Sequence, residues 1–153
     1  MMSAVKNNKT EAARMLANRS MPVSTVIPEL AYPDLAQAIH WLTTAFGFTL
    51  RIRIGDHRAQ LNVGDGGAII LMQHPNAGAV TPLAHSLLIR VPNVDAHHAA
   101  AAAHGARIFR PPHDYPYGER QYTASDPTGR TWTFSQSIAD IDPRDWGGTV
   151  GTL

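Results

Sequence analysis

The chain predicts an α+β fold built from two βαβββ modules, and three internal echoes predict it. Leu30-Ala31-Tyr32-Pro33-Asp34-Leu35 returns as Ile89-Arg90-Val91-Pro92-Asn93-Val94 at an offset of 59, each copy reading as a strand that turns into a helix. Each helix stops at a glycine, Phe46-Gly47 in the first copy and His104-Gly105 in the second, at an offset of 58. Further on, Gly64-Asp65-Gly66-Gly67-Ala68-Ile69-Ile70-Leu71 lines up with Asp126-Pro127-Thr128-Gly129-Arg130-Thr131-Trp132-Thr133 at an offset of 62. A duplicated unit implies a site between its copies, in the kind of concave pocket that holds small ligands.

The elements follow in order. Residues 1–22 form an N-terminal arm, polar apart from a short helical pattern at 10–17. Residues 23–31 read as a strand, which Pro28 confines to an edge. Asp34 caps the first helix and Gln37 completes a capping box, while Leu35, Ala38, Ile39, Leu42 and Phe46 form its buried stripe. Strands are expected at 49–54, 58–63 and 68–73, separated by Gly55-Asp56 and the glycine-rich turn at 64–67. This closes a first module of residues 23–74, and residues 75–83 have the composition of a linker. The second module, 84–137, repeats the order: a strand at 86–91, Asn93 as cap, an alanine-rich helix at 94–104, then a proline loop after Arg107-Ile108-Phe109. Strands at 121–125 and 131–135 end it, and residues 138–153 form an exposed tail with Trp146 docked on the body.

Composition narrows the function. With 153 residues and 44% apolar content the chain can bury one good core. Its 13 basic and 12 acidic residues give a net charge of +1, with no basic stripe of the kind nucleic acid selects. Cysteine is absent, which excludes disulfides, thiol catalysis and thiolate metal sites. No apolar run is long enough to span a bilayer as a helix, so the expectation is a soluble, cytoplasmic protein with neither membrane nor nucleic acid as partner.

The order of elements, together with Tyr117-Gly118-Glu119-Arg120-Gln121-Tyr122-Thr123-Ala124-Ser125-Asp126-Pro127-Thr128-Gly129-Arg130-Thr131-Trp132-Thr133-Phe134, resembles the vicinal oxygen chelate superfamily. That group includes glyoxalase I, extradiol dioxygenases, fosfomycin-resistance enzymes and bleomycin-binding proteins, and the likeness is greatest to its glyoxalase/bleomycin-resistance branch of PhnB-like proteins. The resemblance covers residues 23–137, and its weight comes from the Asp-Pro-x-Gly turn at the end of the second of two matching modules. It implies a partly closed mixed sheet around a cavity, often completed by a homodimer.

Metal-using members of this family place two ligands on each module, usually His and Glu. Seven positions before each helix cap stand Ile27 and Ser86; four positions beyond the turn glycine stand Leu71 and Thr133. Two of these cannot coordinate, and hydroxyls are poor ligands beside carboxylate or imidazole, so no metal or other cofactor is expected. A rebuilt site would have to draw on His85, Glu29 and Gln73.

Alternation from those positions adds Glu29, Ile69, Gln73, Leu88, Arg90, Thr131 and Ser135 to the inner wall, with Trp132 and Phe134 beneath the helices. Glu29 and Arg90 would pair with each other or hold opposite ends of a ligand. The segment 115–122 reads as an aromatic rim, where Arg120 and Tyr122 would stack a planar ligand, or equally as a hairpin that stabilises a sheet edge. His97, His98 and His104 read as a solvated helix face. Three functions remain open: a metal-free dimeric cavity that binds a small organic molecule; a lyase, isomerase or dioxygenase with a displaced metal or with Glu29 as general base; and a partner-binding domain using arm and tail.

Overall fold

The computed structural model describes residues 16–77 and 85–153; most of the short helix expected at 10–17, and the linker beyond Ala77, lie outside the described residues. The first module runs β1 (Glu29–Tyr32), α1 (Leu35–Ala45), β2 (Thr49–Ile54), β3 (Arg58–Val63) and β4 (Gly67–Gln73). The second runs β5 (Leu87–Arg90), α2 (Val94–Ala103), β6 (Arg107–Tyr115), β7 (Glu119–Ser125) and β8 (Thr131–Ser137), followed by a single 3₁₀ turn, Pro143–Trp146. Two four-stranded mixed sheets result, with orders β1-β4-β3-β2 and β5-β8-β7-β6; in each the outer pair, β1 with β4 or β5 with β8, is parallel. Among the described residues no helix is long and apolar enough to cross a membrane.

Local chemistry sets the helix boundaries in both modules alike. The Asp34 carboxylate accepts the Gln37 amide and the Asn93 side chain accepts the Ala96 amide, each at 3.0 Å. A glutamine from the last strand reaches the first helical residue: Gln73 Oε1 accepts the Leu35 amide at 2.6 Å, and Gln136 Oε1 accepts the Val94 amide at 2.9 Å. Those glutamines stand at an offset of 63, and so do the left-handed turn glycines Gly66 and Gly129, at φ 90° and 88°. The true offset of the last strands is therefore 63, not 62, and Gly66 rather than Gly67 is the counterpart of Gly129.

Two strands differ from expectation. β1 begins only after Pro28, whose carbonyl still accepts the Ile70 amide at 2.9 Å. β6 continues through Pro111 and Pro112, where the prolines predict a loop. It is the edge strand of its sheet, and its register shifts between Arg110 and His113, so the missing proline amides fall where no ladder bond is needed.

The helix-covered sides of the two sheets meet in one core. Phe46, at the end of α1, stands edge-on to Trp41, Trp132 and Phe134 with ring centroids 4.8, 5.6 and 4.8 Å away, which ties the first helix to the second sheet. Trp132 and Phe134 are fully buried there, beneath the helices as alternation predicts.

A buried carboxylate joins the halves below that aromatic cluster. Asp126 Oδ2 accepts from the Tyr32 hydroxyl of β1 at 2.8 Å and from Trp132 Nε1 at 3.2 Å. Its Oδ1 accepts from the Thr128 amide and hydroxyl and from the Arg130 amide, which fixes the turn before β8. Arg130 continues the link, donating to the Ala31 carbonyl at 3.2 Å and lying over the Tyr32 ring. Burial and the neighbouring Asp126 push the Tyr32 phenol well above its ordinary range, so it remains a donor.

His97 makes a second bridge rather than a solvated face. Its Nε2 lies 2.9 Å from the Phe46 carbonyl, which can only accept, so that nitrogen carries the proton and Nδ1 accepts from the Tyr122 hydroxyl. Burial lowers its pKa, in keeping with this neutral tautomer.

Replacing Asp126 by alanine strands three buried donors, the Tyr32 hydroxyl, Trp132 Nε1 and the Arg130 amide, and is expected to lower unfolding free energy by about 3 kcal/mol, against about 1 kcal/mol for Tyr32→Phe, as read by urea titration of tryptophan fluorescence. For His97 the folded pKa lies below the unfolded one, so its contribution is complete above about pH 6.5 and is lost as pH falls from there. Between pH 7.5 and 5 the parent should lose more stability than His97→Gln; equal losses would remove His97 as the source.

Candidate functional site

Because alternate strand residues face opposite ways, the side chains that avoid the shared core lie on the helix-free face of each sheet. On the first sheet these are Glu29 of β1, Ile70 and Met72 of β4, and Arg58, Gln60 and Asn62 of β3. On the second, the register defines three rows across the strands: Thr131, Ser125 and Arg107; Leu88, Thr133, Thr123 and Arg110; Arg90, Ser135, Gln121 and His113. Ser137, Glu119 and Tyr115 end the face.

That second face carries its own hydrogen-bonded floor. Thr123 and Thr133 share a bond at 3.0 Å. Ser135 donates to Glu119 at 2.8 Å and accepts from Gln121 Nε2 at 3.0 Å, while the Tyr117 hydroxyl donates to Gln121 Oε1 at 3.1 Å. Tyr117 stacks on Tyr115 with centroids 5.3 Å apart, and Trp146 of the tail packs 5.2 Å from Tyr117, so tail and rim meet at one end of this face. The hydroxyl of Tyr117 is raised above its ordinary pKa chiefly by burial, then by Tyr115 and Glu119.

The first face is not open in the same way, because the arm lies across it. Arg51 donates to the carbonyls of Arg19 at 2.7 Å and Met21 at 3.2 Å, Gln60 donates to the Ser20 carbonyl at 2.9 Å, and Ser24 donates to the Gly66 carbonyl. Gln60 is 3% exposed under this cover.

Several residues expected on the inner wall stand elsewhere. Ile69 and Leu71 belong to the core, and Gln73 is engaged at the start of α1, all three on the helix side of β4. The one-residue difference in the repeat accounts for all three; with the offset at 63, the position equivalent to Thr133 is Ile70. Tyr122 is 1% exposed beneath α2, and Arg120 on the same side pairs with Asp95 of α2 and Asp114 of β6. Neither faces the floor. Leu88, Arg90, Thr131, Thr133 and Ser135 do stand on the helix-free face, and Ile27 and Ser86 precede its first strands. Glu29 pairs with Arg58 at 2.7 Å rather than with Arg90, whose contact is Ser137 Oγ at 3.4 Å. Glu119 and Gln121 carry the floor, and a reading of that segment for its aromatic rings misses them; its alternation is the signal that finds them.

The four chelate positions become Ile27, Ile70, Ser86 and Thr133. Two aliphatic side chains and two hydroxyls do not fit a divalent cation. The rebuilt alternative does not assemble: His85 accepts from Arg130 at 3.1 Å, and Gln73 lies on the other side of its sheet from Glu29. Among the described residues no group of three or more His, Asp or Glu is placed to hold an ion. Between the modules of one chain, the cleft lined by Tyr32, Trp41, Asp126 and Pro127 has a volume of about 20 Å³, enough for a single water.

Comparison with known proteins bears on the family and the fold. The sequence model of the Glyoxalase/Bleomycin resistance protein/Dioxygenase superfamily matches residues 24–134. Among solved structures, TioX from Micromonospora sp. ML1 is 32% identical, with 78% of this chain and 100% of that chain covered and a TM-score of 0.62. A glyoxalase/bleomycin resistance protein/dioxygenase from Nocardioides is 24% identical over 84% of this chain and 87% of its own, with a TM-score of 0.56, and one from Alicyclobacillus acidocaldarius is 16% identical over 78% and 95%, with a TM-score of 0.62. These last two share the fold. No curated protein matches the chain.

Proposed function

The chain belongs to the Glyoxalase/Bleomycin resistance protein/Dioxygenase superfamily, and from that membership we propose that it is a metal-free member which binds a small organic molecule between modules of two copies of itself. The observation that carries this reading is the chemistry of Ile27, Ile70, Ser86 and Thr133, which replaces a chelating set by aliphatic and hydroxyl groups beside an intact polar floor. Such a floor orients a ligand through hydrogen bonds and offers no Lewis acid to polarise it. Glu29, the candidate general base, already engages Arg58.

What supports a second copy is how the core is filled. The aromatic cluster occupies the space between the modules of one chain, and the helix-free faces lie on the outside. A module from another copy, set against such a face, would enclose the cavity that a single chain leaves open.

Light scattering is expected to give twice the mass of one chain; a monomer at working concentration would overturn the two-copy cavity. Protein prepared without chelator should hold no stoichiometric metal, and its melting temperature should be indifferent to nickel, zinc, manganese and iron. A resident ion at 100 times its Kd would add about 2.7 kcal/mol, so one ion per chain with an upward shift would overturn the metal-free reading.

A further inference from the structure

Resting on that reading, we propose that the helix-free face of the second sheet selects an aromatic organic anion, with Arg90, Arg107 and Arg110 supplying the countercharge. The chain as a whole is nearly neutral, at +1, so the imbalance is local. Arginines elsewhere on the sheets are engaged. Arg53 pairs with Asp56, Arg58 with Glu29, and Arg120 with both Asp95 and Asp114, while Arg51 is held by Gln60 and the arm carbonyls. The three on this face have no carboxylate within ion-pair distance among the described residues. Arg90 donates to the Ser137 hydroxyl at 3.4 Å, Arg107 lies 5.1 Å over the Phe109 ring, and Arg110 reaches the Tyr115 hydroxyl at 3.4 Å.

The face has one acid, Glu119, in its end row, where it accepts from Ser135. Arg107 and Arg110 line one edge of the sheet and Arg90 the opposite edge, about 14 Å away across three strand spacings. Between them run neutral hydroxyl and amide groups. Above Phe109, Arg110, Thr123 and Thr131 opens a hollow of about 390 Å³, within the range of small-ligand sites. Phe109 is 48% exposed and Leu88 57%, so apolar surface for a ring lies beside guanidinium forks that suit carboxylate, sulfonate or phosphate oxygens. The corresponding face of the first sheet is covered by the arm, which leaves this one for the ligand.

The test titrates the full chain with three probes that share one ring system, 2-naphthoate, 2-naphthamide and 2-naphthylmethylammonium, followed by calorimetry. The expected result is naphthoate binding at least about tenfold tighter than the amide, the ammonium weakest, with the gap narrowing as salt is raised. Arg107→Gln with Arg110→Gln should close the gap without lowering the melting temperature, whereas Arg53→Gln on the other sheet should leave it intact. Equal binding of acid and amide, or a gap that survives the double variant, would overturn the anion assignment and leave ligand binding standing. Failure of all three probes to bind would overturn both.

Discussion

The structure depends on one buried carboxylate. A charge removed from water is tolerated only when its lone pairs are met, and Asp126, 3% exposed, has donors from a tyrosine, a tryptophan, a threonine and two backbone amides. The tyrosine comes from the first module and the rest from the second. Hydrophobic contact alone would let two similar sheets slide over each other, because apolar burial has no preferred direction. The hydrogen bonds to Asp126 do have one. They set β1 against the turn before β8, and Arg130 then reaches Ala31 from that turn. The same bonds decide which faces of the sheets remain outside.

Much of this is legible in the chain, for physical reasons that can be named. Helix starts announce themselves because only a few side chains can accept an orphan amide, and Asp34 and Asn93 both do so. Helix ends do the same through Gly47 and Gly105, both left-handed. The last strands are less readable. Gly66 and Gly67 are adjacent, either can stand as the turn glycine, and a slip of one residue exchanges the two faces of a strand completely. Hence the pattern puts Ile69 and Leu71 on the wall, whereas both belong to the core. The signal that fixes the register is present in Gln73 and Gln136, each reaching the start of its own helix. The bridges of Asp126 to Tyr32, 94 residues apart, and of His97 to Phe46, 51 apart, have no local signature at all.

The two modules have kept their frame and lost their equivalence at the faces. In the first, Arg51 and Gln60 hold backbone carbonyls of the arm, so a polar surface has become a seat for the chain's own residues. In the second, the positions aligned with Arg58 and Gln60 are Gln121 and Thr123, which bond to neighbours on their own sheet. Duplication followed by such divergence leaves one covered face and one open face in each chain.

This arrangement separates stability from recognition along every strand of the second sheet. Tyr122, Ala124, Trp132 and Phe134 point into the core, and changing any of them alters its packing. Their immediate neighbours Gln121, Thr123, Thr131 and Thr133 point away and are half-buried, with Thr123 bonded to Thr133 and Gln121 to Ser135 and Tyr117. A substitution at the outward set changes the pattern of donors and acceptors that a ligand meets while leaving Asp126 and the aromatic cluster untouched. The period of two that hides the register from a sequence reading is thus also what allows the face to be rewritten residue by residue without unfolding the protein.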